Sequence, residues 1–567
     1  MSTTIAVLGG VGLFLLGMSV MTAGLKGLAG SGLRTVLSKV AATSLSGAFW
    51  GAVVTLIVQS SSATTMTTIG LVSAGVLTFS QGLALVFGAN VGTTGTGWLV
   101  ALIGVRVSLT AAALPMIFVG SLIKLLGRGR VSAAGAALAG FALVLFGLTT
   151  LQQGMGGLAE QLHPADLPAV LSTTWWSGLY GVLALVTVGL VMTAVMQSST
   201  AAIAVTLSAY YAGAVGLDQA CALIIGQNIG TATSSAMAAI GASSTAKRLA
   251  LAYILFKLIA ALIALVLFPV TIPLLVRASN TIDGVTLLAG YHTAYNIVGV
   301  LVLLPVINRF TRFVERILPE RGSPLTRCLD PVALVTPIAT EEAVRRTVAR
   351  ALGTMCESLA PVLVAVTPGA SARPRKDVVS VAEAADALRR AQEFMSEVSG
   401  PPQSEDEQGR LTSTLHALDH ASRLAETVDD EAEFSTPTGG PEDMRALQVC
   451  AEAMRDAASL ASEAAAPPTS PGHAALIEPG GGLKWPFDLQ KQLLATGRST
   501  GQTLAQLEHC AKALGELRKS HRSATLSSVA SGGLSADEAI ARVDALRRLE
   551  ALAYHAWRSA AHLVGHA

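Results

Sequence analysis

From Met1 to about Pro305 the chain is a succession of apolar runs, most of them close to 20 residues long. A helix of that length crosses the roughly 30 Å of hydrocarbon in a bilayer. Inside lipid only helices and closed barrels can satisfy every backbone group. The runs are Ile5–Leu25, Gly82–Ile103, Leu109–Leu126, Ala134–Gln152, Leu217–Ala239, Leu249–Val276 and Leu287–Val306. Two further stretches, Thr43–Thr78 and Thr173–Ala212, are interrupted near their middles by polar residues. Each half of such a stretch has about 16 residues, short for a full crossing. This predicts two short helices meeting inside the membrane, a re-entrant hairpin. The first run has no basic residue before it and no cleavage site after it, so it is expected to be retained as a span. Beyond Arg309 the runs stop and charged, Ala-rich helical patterning takes over. The whole-chain average, 13% charged residues, hides this change of solvent; soluble proteins average about 25%. The expected fold class is all-α: a polytopic membrane protein with a soluble helical-bundle domain attached.

Composition also excludes several functions. A net charge of +2 argues against a nucleic-acid partner. The five cysteines, Cys221, Cys328, Cys356, Cys450 and Cys510, are odd in number and never closely paired. A disulfide framework or a zinc site is therefore not expected. No nucleophile–base pair and no phosphate-binding P-loop stands out, so an enzyme is the least favoured class.

The interrupting polar residues form a repeat. Gln59-Ser60-Ser61-Ser62-Ala63 reappears 138 residues later as Gln197-Ser198-Ser199-Thr200-Ala201. Gly88-Ala89-Asn90-Val91-Gly92-Thr93 reappears as Gly226-Gln227-Asn228-Ile229-Gly230-Thr231 at the same offset, and Phe118 and Phe256 keep it too. Gly17 and Gly24 echo Gly147 and Gly154 at an offset of 130. Two motifs matching in order at one offset point to duplication.

Charge orients the copies. If the hairpins return to their own side, one set of loops holds Lys26, Arg34, Lys39, Arg128, Arg130, Lys247, Arg248, Arg309, Arg312 and Arg316. The other holds only Arg106 and Arg277, with Glu160, Asp166, Asp218 and Asp283. The basic set belongs in the cytoplasm. Each repeat then crosses three times, so the second must run upside down relative to the first. Inverted repeats with broken helices near the midplane are a signature of secondary transporters.

The hairpin tips are the candidate site. A half-helix N-terminus offers free N–H groups and partial positive charge to an oxyanion. Ser60, Ser61, Ser62, Ser198, Ser199 and Thr200 add hydroxyls that can hold phosphate. Gln59, Gln197, Asn90, Thr93, Asn228 and Thr231 supply neutral oxygens of the kind that hold Na+, the last four where the second motif is expected to break its span. Isolated membrane serines ordinarily just bond across helices; duplication of the whole motif argues for more here. The acidic residues nearest the spans, Glu160, Asp166, Asp218 and Asp283, fall in loops or at span ends, which favours Na+ over protons as the coupling ion. Lys257 lies well inside Leu249–Val276, and an intramembrane cation is a functional candidate. The repeat alignment pairs its helix with that of Phe118 and places both beside the tips. His292 and Asn296 open the last span and are expected to modulate the site.

These paired Gln-Ser-Ser motifs, each followed 31 residues after its Gln by Asn in a Gly-x-Asn-x-Gly-Thr setting, resemble the type II sodium–phosphate cotransporter family. Tyr291-His292-Thr293-Ala294-Tyr295-Asn296 is similar to that family's His-Thr-x-x-Asn segment. The resemblance spans roughly residues 5 to 310. It implies import of inorganic phosphate coupled to sodium, with no organic cofactor and no metal beyond Na+, in a bacterial inner membrane. Where the family's second repeat often has His and Asn, this chain has Tyr253 and Lys257. The alternatives left open are an uncoupled permease, an exporter or a phosphate-status signalling protein.

Three segments are expected: a membrane core over 1–310 (repeats at about 5–130 and 134–276, a last span at 287–306), a linker over 311–337, and helices over 338–567. The helices are predicted at 340–366, 379–398, 408–431, 442–466, 487–520 and 535–564, separated by Pro- and Gly-rich breaks. They read as paired three-helix bundles. Asp419-His420-Ala421-Ser422-Arg423 echoes Tyr554-His555-Ala556-Trp557-Arg558, and the arrangement resembles a PhoU-like domain. In that resemblance Tyr554 stands where an acid would be needed, which argues against a metal site, and His420 and His555 are read as ordinary helix residues. The domain is expected to be cytoplasmic and regulatory, with a phosphate-regulatory protein and a second copy of the chain as admissible partners besides phosphate and membrane lipid.

Overall fold

The computed structural model describes residues 3–40, 43–104, 110–160, 163–170, 175–240, 242–319, 323–365, 375–398, 405–429, 441–466 and 499–565. The described residues form helices and turns, with no strand. Two compact units divide the chain: Met1–Val72 with Leu77–Glu320, and Ser73–Val76 with Arg321–Ala567.

The first unit opens with α1 (Thr3–Val40), α2 (Ser44–Val58), α3 (Ser61–Ser73), α4 (Phe79–Thr93) and α5 (Gly95–Leu99), which runs into a π-helical turn. It continues through α6 (Thr110–Leu126), α7 (Arg130–Ala159), α8 (Trp175–Met196), α9 (Ser199–Tyr211), α10 (Leu217–Gly230) and α11 (Ala232–Ala238). It closes with α12 (Ser244–Ala278), α13 (Gly284–Leu303) and α14 (Ile307–Ile317). Among the described residues here, six helical stretches are long and apolar enough to cross a membrane, one of them, Phe79–Leu102, spanning α4, α5 and the π-turn. Side-chain caps start several of them. Thr43 and Thr78 form reciprocal capping boxes with Ser46 and Gln81, and Ser243 and Asp283 cap α12 and α13. Each cap satisfies N–H groups that a helix start leaves orphaned. Leu258, Leu262, Val266, Val270 and Leu274 are exposed at four-residue steps along α12. That is one helix face, apolar and open, as lipid contact requires.

Glycines set the packing. On α1, Gly10, Gly17 and Gly24 press onto the backbone of Leu151, Val144 and Ala137 of α7; on α7, Gly154, Gly147 and Gly140 press onto Val7, Phe14 and Met21. Numbers rise on one helix as they fall on the other, so α1 and α7 run antiparallel. A different pairing joins α2 to α4. Added Cβ atoms at Gly51 and Gly88 would meet the carbonyls of Leu85 and Ala48 at 2.1 and 1.8 Å. On α8 and α10, Gly189 and Gly226 meet the carbonyls of Leu223 and Val186 at 2.2 and 1.9 Å. All four residue pairs correspond at the 138-residue offset. Here numbers rise together, from Ala48–Gly88 to Ala52–Gly92, so α2 runs parallel to α4 and α8 parallel to α10. The single helix between each pair, α3 or α9, must therefore bring the chain back.

Two expectations need correction, on Phe118 and on the linker. The runs Gly82–Ile103 and Leu217–Ala239 are each interrupted at the second motif. The first breaks at Thr94 and the second at Thr231, just after each Gly-x-Asn-x-Gly-Thr motif. Phe118 does not sit beside the tips. It is 65% exposed, because α6 packs on α7 through Gly120 and Gly135, while its counterpart Phe256 is fully buried and stacked on Phe87. Part of the expected linker is helical: α14 runs to Ile317 with Phe310 and Val314 buried. Arg106 lies outside the described residues, as do the Pro- and Gly-rich breaks at 368–374, 400–402 and 437–440 and the loop at 467–486.

The second unit holds α15 (Pro337–Ala365), α16 (Arg375–Ser396), α17 (Glu405–Asp429), α18 (Pro441–Ala465), α19 (Thr500–Ala530) and α20 (Ala536–Leu563). One apolar core runs through all six. Helix α19 continues ten residues past its expected end to Ala530, and its expected start at 487 lies outside the described residues. The stretch Pro337–Val364 is apolar enough to cross a membrane. Here it is a core helix, and its first turns carry Glu341, Glu342, Arg345 and Arg346, with Glu342 held between both arginines.

Candidate functional site

The two tips are built alike. Gln59 ends α2 at φ 56° and Gln197 follows α8 at φ 50°; they are the non-glycine residues with positive φ among the described ones. A side chain in this left-handed region costs about 1–2 kcal/mol, and such strain concentrates where function requires it. The left-handed step turns the chain so that α3 and α9 start at the tips. Ser60 and Ser198 accept from the N–H groups of Ala63 and Ala201. The Gln side chains are held in place. Gln59 Nε2 donates to the Leu56 carbonyl at 2.5 Å, and its Oε1 accepts from Thr96 Oγ1 at 2.5 Å. Gln197 Nε2 donates to the Ala194 carbonyl at 2.5 Å and reaches Thr233 Oγ1 only at 3.5 Å.

Both tips face one cavity of about 470 Å³. Gln59, Ser60, Ser61 and Ser62 line it from one repeat, and Gln197, Ser198, Ser199 and Thr200 from the other. Thr193, Thr231, Thr233 and Ser234 extend this lining, and α1 adds Ser19, Thr22 and Lys26. The cavity falls within the size range of small-molecule sites. Among the described residues that line it there are hydroxyls, amides and one ammonium, but no carboxylate. Two helix N-termini and this donor set suit a small oxyanion.

The other expected residues form a second, buried group. Tyr253 Oη donates to Asn90 Oδ1 at 3.2 Å. Asn228 Nδ2 donates to Asn296 Oδ1 at 3.1 Å, and Asn228 Oδ1 accepts from Lys257 Nζ. Thr231 links the two groups: it lines the cavity, donates to the Asn228 carbonyl at 2.7 Å and lies 3.5 Å from Tyr253 Oη. Asn296 Nδ2 donates to the His292 carbonyl at 2.8 Å, and His292 is buried without lining the cavity. Thr93 is not part of either group. Its hydroxyl donates back to the Ala89 carbonyl at 2.9 Å, so it serves its own helix turn.

Lys257 is 2% exposed, so it does not snorkel. A charged side chain at a helix centre costs about 2.5–3.5 kcal/mol on insertion scales. A hydrogen bond to a charged group returns about 1.5–3 kcal/mol, and the face of Tyr253, 5.4 Å from Nζ, adds to it. One amide oxygen and an aromatic ring thus offset much of the cost of holding this ammonium.

Sequence reasoning missed Thr96 and the α1 residues, and named Tyr253 only as a departure from the family's pattern. Thr96 follows the Gly-x-Asn-x-Gly-Thr motif by three residues, in a polar run that continues past the motif. Lys26 reads as a loop charge until α1 is seen to reach the cavity.

The sequence profile described as Na+/Pi-cotransporter matches residues 13–153 and again residues 167–281. A Bacillus subtilis (strain 168) protein, YqeW, itself uncharacterized, is 30% identical over 313 residues, 54% of this chain and 96% of its own length. The chain belongs to the Na+/Pi-cotransporter family. Escherichia coli (strain K12) YjbB, provisionally named for inorganic phosphate export, is 28% identical over 442 residues, 76% of this chain and 78% of YjbB. A Salmonella typhimurium protein with the same provisional name is 30% identical over 378 residues, 64% of this chain and 66% of its own. No solved structure matches the chain significantly.

Proposed function

We propose that this family member moves inorganic phosphate across a bacterial inner membrane with sodium as the coupling ion, inward in the cell. One observation carries the reading: both duplicated Gln-Ser-Ser tips line a single cavity with no carboxylate among its described lining residues. In this reading Ser60, Ser61, Ser62, Ser198, Ser199 and Thr200 hold phosphate, aided by the N-termini of α3 and α9. Gln59, Gln197 and Thr231 hold Na+ beside it, with Asn90 and Asn228 behind. The antiparallel α1–α7 pair, whose glycines correspond at an offset of 130, supports an inverted repeat. Alternating access then exposes the same cavity to each side in turn. Lys/Arg bias puts the second unit in the cytoplasm, where it regulates flux. The second reading is export, favoured by the provisional name of YjbB. The same site serves both, since gradients set direction.

The test is phosphate flux in proteoliposomes with and without an imposed Na+ gradient. Coupling predicts uphill phosphate movement driven by the gradient. Equal flux in sodium-free buffer would reduce the chain to a permease, and no flux at all would end the transport reading.

A further inference from the structure

Helix α12 touches both repeats, and it treats their equivalent asparagines differently. Asn90 and Asn228 correspond at the 138-residue offset, and both are buried. The side-chain oxygen of Asn90 accepts from a neutral group, the Tyr253 hydroxyl at 3.2 Å. The oxygen of Asn228 accepts from a cation, Lys257 Nζ. Tyr253 and Lys257 stand one turn apart on α12, so a single helix face supplies both partners. The surroundings of Lys257 Nζ are those of a small cation: an amide oxygen and the face of an aromatic ring 5.4 Å away, with no acidic residue in the apolar spans except Asp218 at the very start of one. Thr231, whose hydroxyl is bonded to the Asn228 carbonyl, connects this point to the cavity.

We propose that the Lys257 ammonium is a tethered cation that occupies the place a mobile Na+ would take at Asn228. It rests on the sodium-coupled reading above. The positive charge needed near phosphate is then partly built into the chain and does not cross the membrane. The consequence is stoichiometric: this transporter moves one Na+ fewer per phosphate than the same scaffold with a neutral residue at 257.

The experiment compares the full-length parent with Lys257→Asn, Lys257→Gln and Lys257→Arg in proteoliposomes. Phosphate flux is measured against Na+ concentration, together with the net charge moved per phosphate. The neutral variants should raise the apparent order in Na+ by about one and move about one more positive charge per phosphate. Lys257→Arg, which keeps the charge, should keep the parent's values. Neutral variants with the parent's Na+ order and charge ratio overturn the proposal. If the neutral variants lose flux, Na+-induced thermal stabilisation of the purified proteins decides. More stabilisation than in the parent supports the tethered cation, and no more than in the parent overturns it. A parent indifferent to Na+ sinks the coupling reading by itself; the proposal then stands only if Lys257→Asn gains a Na+ response, and falls otherwise.

Discussion

Replacing Gln59 and Gln197 by glycine and by alanine separates strain from chemistry at the tips. Both residues sit at positive φ. Alanine keeps the Cβ and so keeps the left-handed cost of about 1–2 kcal/mol. Glycine relieves that cost but gives back about 0.4–1 kcal/mol in unfolded-chain entropy. At each site the glycine variant should therefore be more stable than the alanine variant by about 1 kcal/mol, roughly a 2 °C rise in melting temperature for a unit of this size. The two sites should also differ. Gln59→Ala loses two short side-chain bonds, to Leu56 and from Thr96. Gln197→Ala loses one short bond, to Ala194, and a long contact to Thr233. At about 0.5–1.5 kcal/mol per bond, Gln59→Ala should be the less stable by about 1 kcal/mol. All four variants should lose phosphate flux by about ten- to a hundred-fold, the loss expected when a bond to a charged ligand disappears. The assays are thermal unfolding in detergent and flux in proteoliposomes. Equal stability of the glycine and alanine variants would refute the strain argument. Normal flux in both Gln59→Ala and Gln197→Ala would refute the shared site.

Two other outcomes are expected. In the second unit His420 Nδ1 lies 3.0 Å from His555 Nδ1, and His562 stacks on His416. Burial, then the neighbouring His555, lowers His420 to about 4; burial, then Arg558, lowers His562 to about 4; burial lowers His555 as well. The folded unit holds these rings neutral, while unfolded histidine takes up its proton near pH 6.5. The unfolded state thus binds more protons between those values, so stability should fall as pH drops from about 6.5 toward 4. His420→Gln and His562→Gln should flatten that decline in thermal unfolding, and an unchanged pH slope would count against it. A chain ending near Arg321 keeps both tips and the cavity, so it should insert and still bind phosphate; a well-folded truncation that binds none would show that the second unit is part of the site.

Which parts of this were legible follows from the physics of each. The tips were readable because polar residues inside apolar runs are costly, and because they recur at one offset with Gln59 and Gln197 at the turns. The breaks after Asn90 and Asn228 were readable from the motifs, but continuous apolar flanks hide their exact places, Thr94 and Thr231. The position of Phe118 was not readable. Correspondence with Phe256 says which residues are equivalent, whereas small residues on α6 and α7 decide which helix turns inward. Lys257 was readable as a buried cation, but its partner was not, since Asn228 lies 29 residues away on another helix. The contact between His420 and His555 had a trace in the echoed segments; the stacking of His416 on His562 had none, because it depends on how α17 lies against α20.

The carbonyl contacts within the α2–α4 and α8–α10 pairs have a mechanical meaning. Where helices touch through backbone, few compressible side chains lie between them, and a packed interface of this kind has few alternative arrangements. Sliding one helix by a turn would first require lifting it off its partner. Each pair is therefore a stiff strut, and each strut carries one tip glutamine at the end of its first helix. If the cavity opens to one side and then the other, as the proposed function requires, that motion is taken up at joints filled by side chains, with the two struts carried through it unbent.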